Sequence, residues 1–575
     1  MDVNKFWQIY PKLSEEQRAE LSSYPELVAQ LLVNRNLKGK KQVSDFFSAD
    51  WEMSLLDPFA FTQMKAACEL IIKHLKDKSL IAIAGDYDAD GVTSSALLNR
   101  IITALGGKAE VWIPSRLGEG YGLSKKIVDE VIAAGAKLLI TVDNGIKAGK
   151  EIAYAQERGI DTIITDHHMG PDDAADLPPG VVLDAMVESE AYPFKYLAGV
   201  GVAYKLAAGL IQMSTLNSSQ KEKLVSADLD LVALGTVADC VPLVGENRAL
   251  VKRGLAMLNK QTKPGVRALI TAASAKGEID EASIGWQLAP RLNVAGRMEH
   301  ANVSYRLLMT EDQKEADELA SKLNDKNALR QAETARIVEY CERMIESGLK
   351  EDKILILVSP DLEYGLEDKW LEGVIGLVAG RLCEKYSKPA LVICLSEGQI
   401  KGSGRSIESV NVVDFLSNFE SYLSRYGGHK MACGFSVKKK EVLMEFVTKA
   451  RELAATTIND DDLIPRLKID AEVNLSEVNG ELADWLTRFS PFGQANPTPM
   501  FVSRNVRVMD FMPLGMEAQH FKMRFGSLWA IAFNASKRWP TVAVGSTLDI
   551  AYHLEWNEYN GFRNLQMRIV DIHVV

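Results

Sequence analysis

The chain has 575 residues, which sets an expectation of three or four domains. With 47% hydrophobic and 25% charged residues it reads as an ordinary globular protein, with no apolar run near the roughly 18 residues of a membrane span and no signal-peptide core at Met1-Asp-Val-Asn-Lys-Phe-Trp7. Six scattered cysteines without a Cys-x-x-Cys pair argue against a zinc site or disulfide framework and for a reducing cytoplasm, and a net charge of −11 confines any nucleic-acid site to a local basic patch.

Residues 1–75 read as a polar, helical segment, with Trp7 and Trp51 as packing anchors. The pattern then changes. Leu80 to Ala84 is a short apolar run of the kind that forms a buried strand. Asp86, Asp88 and Asp90 follow at every second position, Gly91 is expected to turn the chain, and Thr93 to Leu105 reads as a helix. Carboxylates this close repel one another unless a cation neutralises them. An EF-hand also opens Asp-x-Asp-x-Asp-Gly, but its bidentate Glu would fall at Leu97 and its flank would be helical, so that reading is rejected.

The strand–helix rhythm continues. Ala109–Pro114 reads as a strand and Lys125–Ala134 as an amphipathic helix. Leu138–Val142 is a strand ending in Asp143-Asn-Gly145, followed by a helix over Ala148–Arg158. Thr162–Thr165 is a strand ending in Asp166-His-His168, and Val181–Asp184 is a further short strand. This βαβ pattern predicts a mostly parallel sheet with helices on both faces. In such a sheet the strand ends share one edge, so Asp86/Asp88/Asp90, Asp143 and Asp166/His167/His168 are expected to cluster. A solvated acidic turn would account for the first group alone. It does not account for an adjacent histidine pair at a second strand end.

Residues 197–260 read as helical, and Leu229 to Asp239 is apolar at helical spacing with Asp239 near its end. A carboxylate there opposes the helix dipole, so a compensating cation is expected, against the simpler reading of a turn aspartate. Ala289-Pro-Arg-Leu-Asn-Val-Ala-Gly-Arg297 sets Arg291, Asn293 and Arg297 among small residues, and arginine forks suit phosphate; surface arginines on a loop are the plainer alternative. The 76–310 region is thus one α/β domain, and 311–350 a charged connector helix. Residues 351–460 read as a second α/β domain. Within it Gly402-Ser-Gly-Arg-Ser406 is expected to be a tight, anion-binding turn, and Tyr426 to Phe435 a second glycine-rich loop carrying His429. Residues 465–575 are strand-like and aromatic. From Pro491 onward eight Lys and Arg stand against six Asp and Glu, which with the aromatics suits a small barrel binding single-stranded nucleic acid. At least half of those aromatics are expected to be barrel core.

Asp86-Tyr-Asp-Ala-Asp-Gly91, Asp143-Asn-Gly145, Asp166-His-His168 and Asp239, in this order, resemble the DHH phosphoesterase superfamily, and Gly427-Gly-His429 resembles its associated DHHA1 domain. Arg291 to Arg297, Gly402 to Ser406 and the stretch beginning Pro491-Phe-Gly resemble its RecJ branch. The resemblance implies an α/β chain: a DHH catalytic domain, a DHHA1 domain and a C-terminal OB-fold barrel. It implies a 5′-to-3′ exonuclease that degrades single-stranded DNA to mononucleotides with two divalent cations, Mn2+ or Mg2+.

By motif, Asp86, Asp88, Asp90, Asp143, His167, His168 and Asp239 are the implied metal-site residues, with Asp143 as the bridging carboxylate. Asp143, His167 and His168 are the catalytic candidates, and His168 is an alternative contact to the scissile phosphate. Arg291, Asn293, Arg297, Ser403, Arg405, Ser406 and His429 are the substrate-binding candidates, with Ser403, Arg405 and Arg297 assigned to the 5′-terminal phosphate. Where many RecJ-like chains carry a histidine after the tryptophan, this one has Leu371 after Trp370. The resemblance also implies work in DNA repair and recombination beside a single-strand-binding protein and a RecQ-type helicase, and a cytoplasmic monomer is expected.

Oxygen-rich ligands with some imidazole suit manganese or magnesium and a two-metal hydrolysis with in-line attack by water; no protein nucleophile is evident. Two alternatives stand beside this. One is a phosphodiesterase of short RNA or cyclic dinucleotides, against which the extra barrel argues. The other is a non-catalytic DNA-binding scaffold, which predicts eroded metal motifs.

Overall fold

The computed structural model describes residues 5–48, 55–114, 122–171, 173–298, 302–559 and 562–575. Trp51 lies outside them. The chain forms two compact units: one of residues 37–328 with 487–498, the other of residues 1–36, 329–486 and 499–575. Among the described residues no helix is long and apolar enough to cross a membrane.

The N-terminal stretch is not helical throughout. Its first element is a strand, β1 (Phe6–Ile9), paired in parallel with β12 (Arg466–Ile469). Trp7 stacks on His573 at 3.9 Å between ring centroids and donates its Nε1–H to Asp571. The pairing joins residues more than 450 apart, so no local pattern announces it.

The 37–328 unit is built on a five-stranded parallel sheet: β2 (Leu80–Gly85), β3 (Lys108–Trp112), β4 (Leu138–Val142), β5 (Asp161–Thr165) and β6 (Val181–Leu183), in the order β3-β2-β4-β5-β6. Every residue of β2 and β4 is buried. Alternation divides their side chains between two layers. Ile81, Ile83, Leu138 and Ile140 pack into one core, and Leu80, Ala82, Ala84 and Leu139 into another. This is the signature of a sheet covered by helices on both faces. The strand order reverses between β2 and β4, which opens a crevice at their carboxyl ends.

Residues 487–498 return to this unit and are clasped there by Arg248. Its guanidinium donates to the carbonyls of Phe46, Arg488, Phe489 and Pro491 and stacks 3.9 Å above the Phe46 ring. Leu243 N donates to the Gln494 carbonyl, and Asn496 donates to those of Phe489 and Pro491. Arg248 is buried, so removing its donors strands several carbonyls away from water. Arg248→Met is expected to weaken the clasp by about 3 kcal/mol. Hydrogen exchange at 487–498 checks this, and protection equal to wild type would contradict it.

The helix Gln313–Met344 carries the chain from one unit to the other. The second unit has a five-stranded sheet: β7 (Leu355–Val358), β8 (Ala390–Ser396), β9 (Gln399–Arg405), β10 (Leu423–His429) and β11 (Ala432–Val437), in the order β10-β11-β9-β8-β7. The Gly402–Ser406 stretch is therefore not a turn but mostly the strand β9. Its glycines serve packing: a Cβ on Gly402 would fall 2.1 Å from the Phe435 ring, and one on Gly404 2.5 Å from Cys433 Sγ. The Tyr426–Phe435 stretch is likewise a hairpin, β10 with β11, with His429 exposed at the end of β10.

Beyond β12 come β13 (Ala471–Glu472), β14 (Phe501–Arg507), β15 (Asp510–Leu514), β16 (His520–Phe525), β17 (Leu528–Ala532), β18 (Thr547–Tyr559) and β19 (Phe562–Val574). They form one seven-stranded sheet in the order β13-β14-β18-β19-β17-β16-β15. Of Phe521, Phe525, Trp529, Phe533, Trp539, Tyr552, Trp556 and Phe562, only Phe521, Phe525 and Tyr552 are buried, fewer than the half expected to be core. Phe533 and Phe562 are exposed. Trp529 is half-buried, with Lys522 Nζ 4.9 Å and the Arg524 guanidinium 5.9 Å from its ring centroid.

Candidate metal centre

Strand register builds the site. Gly85 pairs with Val142, Val142 with Thr165, and Thr165 with Leu183, so four adjacent strands end in one row. The next residue of each is an aspartate: Asp86, Asp143, Asp166 and Asp184. All four are buried.

After β2 the chain turns at Asp88, not Gly91. Asp88 caps the helix Ala89–Ala104, its Oδ1 accepting from Asp90 N at 2.9 Å and Gly91 N at 3.1 Å. Such a cap is worth about 0.5–2 kcal/mol. Gly91 lies within the first helical turn, where its role is close approach: a Cβ would come within 2.7 Å of the Asp86 backbone. Asp90 then points back to the centre. Its carboxylate accepts from Gly199 N at 2.7 Å and Val200 N at 2.8 Å, the first amides of the helix Gly199–Met213. Those amides favour the anion. Burial and the neighbouring charge of Asp88 outweigh them and push the Asp90 carboxyl up to about 7.

Asp143 follows β4 in the left-handed region, with φ +60°. Such backbone is costly for a residue with a side chain and is concentrated at functional sites. It is held by its own N–H donating to the Thr165 carbonyl and by Asn144, whose amide ties the Ala84 and Val142 carbonyls across β2 and β4. Burial, followed by the carboxylates of Asp90, Asp88, Asp239 and Asp86, raises Asp143 well above the usual carboxylate range.

After β5, Asp166 organises the histidine pair. Its Oδ1 accepts from His167 N and His168 N and lies 2.7 Å from His168 Nδ1, while its Oδ2 accepts from Ile146 N. Asp166 is thus a positioning residue: it fixes His168 and ties the Asp143 turn to the His167 turn. Burial disfavours the His168 cation, but the bond to and charge of Asp166 outweigh it and push His168 up to about 9. Burial and the charge of His168 push His167 down to about 4, leaving it neutral. His167 Nε2 sits among three carboxylates, 3.0 Å from Asp143 Oδ1, 3.6 Å from Asp239 Oδ2 and 3.9 Å from Asp90 Oδ2.

Asp239 is the C-cap of the helix Leu229–Ala238. Burial and the charges of Asp90 and Asp88 push it up to about 9, the direction expected of a carboxylate at a helix C-terminus. Three sets of donors converge within 4.8 Å: Asp86, Asp88 and Asp143; Asp90, His167 and Asp239; and Asp143, His167 and His168. Asp143 belongs to two of them. Carboxyls whose ionisation burial and mutual repulsion disfavour in the bare protein would ionise more readily around a cation. Carboxylates with a minority of imidazole fit manganese or magnesium. The residues present therefore fit the implied ions.

The seven expected ligands all meet here. Of the substrate candidates, Arg291, Asn293 and Arg297 belong to this unit and Ser403, Arg405, Ser406 and His429 to the other, and several make contacts of their own. Asn293 accepts from Ala89 N at 2.6 Å, so it holds the acidic loop in place. Arg291 donates to Asn324 and to the Gln287 carbonyl. Arg297 is half-buried in the last turn of the helix Ala289–Met298. In the other unit, Ser406 is buried and donates to the Val410 carbonyl. Ser403 and Arg405 alternate to the opposite face of β9 from its glycines. There they line Gly376, whose Cβ would meet Ser403 Oγ at 3.0 Å and Arg405 Nη2 at 3.5 Å. Arg405 also donates to the Gly404 carbonyl. Leu371 is the N-cap of the helix Glu372–Tyr386 and is exposed.

Two residues escaped sequence reasoning. Gly199 permits the helix start to approach the centre: a Cβ there would lie 2.7 Å from both Asp143 Cβ and Oδ1. Nothing local marks it. Asp184 was legible in principle, because it ends a fourth strand in the pattern of Asp143 and Asp166. Burial and then the charge of Asp166 push it up to about 7.

Residues 80–236 match the family model described as the DHH family, N-terminal domain, residues 352–456 the DHHA1 domain, and residues 469–571 the RecJ OB domain. The chain is 34% identical over 553 residues to the single-stranded-DNA-specific exonuclease RecJ of Bacillus subtilis (strain 168), across 95% of this chain and 67% of that one. It is 32% identical to the protein of the same description from Haemophilus influenzae, across 90% and 91%. Its fold is similar to the crystal structure of RecJ in complex with Mn2+ from Thermus thermophilus, with a TM-score of 0.83 and 27% identity over 99% of this chain and 79% of that one. The Mg2+ complex from the same organism gives a TM-score of 0.77. With three successive domain models matched and relatives above 30% identity aligned over nine-tenths of both chains, the chain belongs to the RecJ family of DHH phosphoesterases.

Proposed function

We propose that this chain is a single-stranded-DNA-specific exonuclease that hydrolyses phosphodiester bonds from the 5′ end, releasing mononucleotides with two divalent cations, Mn2+ or Mg2+. The observation that carries the reading is the convergence of Asp86, Asp88, Asp90, Asp143, His167 and Asp239 at one sheet edge, with donor atoms within 4.8 Å in each set. An intact cluster of this kind is not what a non-catalytic scaffold would keep, and a C-terminal sheet matching an OB domain suits a polymer rather than a dinucleotide.

Each residue has a role in this reading. Asp86, Asp88 and Asp143 would hold one cation, and Asp90, His167, Asp239 and Asp143 the other, with Asp143 shared. Bound there, the cations supply charge neutralisation on the phosphate and lower the pKa of water. Neutral His167 offers a ring-nitrogen lone pair. Cationic His168, with Nδ1 tied to Asp166, offers Nε2–H to an oxygen of the scissile phosphate. Ser403 and Arg405 bind the 5′-terminal phosphate, with Arg297 and His429 as further phosphate contacts. The protein acts as a cytoplasmic monomer beside a single-strand-binding protein and a RecQ-type helicase.

Digestion of a long single strand labelled at either end, with Mn2+, Mg2+ or chelator, tests the reading. Metal-dependent mononucleotide release from the 5′ end is expected. Binding without cleavage under every metal condition would instead support the scaffold.

Cation binding is also expected to stabilise the folded chain, because the carboxylates it gathers repel one another without it. At about a hundred times the Kd, Mn2+ should contribute about 2.7 kcal/mol, read as a raised midpoint of thermal unfolding. Asp143→Asn should lose most of that gain. A midpoint indifferent to Mn2+ would overturn the metal assignment.

A further inference from the structure

We infer that Trp286 is a base-stacking subsite for the single strand, outside the metal centre, with Arg291 beside it for the backbone phosphate; this rests on the exonuclease reading above.

Trp286 is 83% exposed, more than any other aromatic side chain among the described residues. Leaving a large apolar ring in water is unfavourable, and the local structure holds it there. The short helix Glu281–Ser283 is capped by Asp280, whose Oδ1 accepts from Ser283 N at 2.7 Å. It runs into a π-helical turn, Ile284–Leu288. Ile284 and Leu288 are fully buried in the core at the two ends of that turn, while Gly285 and Trp286 are exposed between them. Such π-turns recur at functional sites. Gly285 carries no side chain, and a Cβ there would meet nothing within 4 Å, so the space beside the indole is open.

The same helix ties this ring to the metal centre. It continues as Ala289–Met298, where Asn293 accepts from Ala89 N and Gly296 packs so closely on Tyr87 that a Cβ would fall 2.9 Å from its ring. Tyr87 and Ala89 belong to the acidic loop itself. Seven residues separate Trp286 from Asn293, a rise of about 10 Å along the helix. At about 3.4 Å per stacked nucleotide that spans roughly three nucleotides.

Arg291 supplies the second observation. Its Nε and Nη1 are fixed by Asn324 and the Gln287 carbonyl, both neutral, and among the described residues no carboxylate pairs with it. A half-buried, oriented guanidinium with uncompensated charge, five residues beyond an exposed indole and reaching back to the carbonyl of its neighbour Gln287, suits a phosphate joined to a stacked base. Stacking needs no particular base, because every base has a π-face. The subsite therefore adds grip on the strand without adding sequence preference.

The test uses the full-length chain and single-stranded oligonucleotides, intact or with one abasic position moved stepwise from the 5′ end. Binding is read by fluorescence anisotropy with Ca2+, and KM and kcat with Mn2+. Trp286→Ala is expected to raise Kd and KM about 5- to 100-fold, leave kcat and thermal unfolding unchanged, and be largely restored by Trp286→Phe. One abasic position should weaken wild-type binding by a similar factor and add nothing to the Trp286→Ala loss. Wild-type affinity in Trp286→Ala, or abasic losses that add to it at every position, would overturn the subsite. A wild-type chain that neither binds nor cuts the intact strand would overturn the exonuclease reading, and the subsite with it.

Discussion

Asp143→Asn is expected to lower hydrolysis of single-stranded DNA at saturating Mn2+ by at least about 10³-fold, with binding of the strand retained. Asparagine is the informative replacement. Asp143 sits at φ +60°, where an ordinary side chain costs about 1–2 kcal/mol and asparagine is tolerated. The fold is therefore undisturbed, and what disappears is the negative charge shared between two donor sets. It also removes a carboxylate that burial and its neighbours hold well above the usual range. The bare variant should consequently be no less stable than the bare wild type. Chelator-treated unfolding of both chains, set beside the rate in Mn2+, checks both halves. Substantial residual cleavage by the variant would mean that Asp143 does not bridge.

Gly199→Ala should follow, with a loss of about 10²-fold, the scale of an ångström's displacement of catalytic groups. Position 199 is the first residue of a helix, where alanine is at least as good a helix former as glycine. The new methyl, however, would fall 2.7 Å from Asp143 Cβ and Oδ1. Either Asp143 or the helix start must move, and the helix start carries the two amides that hold Asp90. Activity should fall while far-ultraviolet dichroism and thermal unfolding hold. Gly199→Ser, with similar bulk, should behave alike. Wild-type rates in the alanine variant would mean that the approach of helix and aspartate does not matter to the chemistry.

The two variants probe different levels of the same site, and only one was legible beforehand. Asp143 was, because an apolar run and the polar residue that ends it are adjacent in sequence. The βαβ rhythm was enough to place Asp86, Asp143 and Asp166 on one edge. The register of β2, β4, β5 and β6 turned that edge into a row of four aspartates. The helix dipole left Asp239 open between a cation site and a turn aspartate, and the motif resemblance singled it out; His167 stood out by its neighbour at a strand end.

Glycine has two opposite uses in this chain. Gly91 was expected to turn the chain and instead lets a helix lie against the Asp86 backbone. Gly402 and Gly404 suggested a loop and instead make room for Phe435 and Cys433 inside a strand. A missing Cβ serves tight turns and tight packing equally, and a sequence does not distinguish them.

The amino-acid sequence by itself determined the class of the fold and put Asp86, Asp143 and Asp166 with its histidines at strand ends, because these depend on periodicity and on residue types there; the seven candidate donors as a set came from the motif resemblance, and their oxygen-rich chemistry indicated the kind of ion. Tertiary structure decided the rest. It tied Asn293 to the acidic loop and Ser406 to a carbonyl, made Asp166 the holder of His168, and brought Gly199 against Asp143. It paired the first strand with one more than 450 residues later and returned residues 487–498 to Arg248. These are contacts between distant segments. They follow from which surfaces bury each other, and no local pattern of side chains encodes that choice.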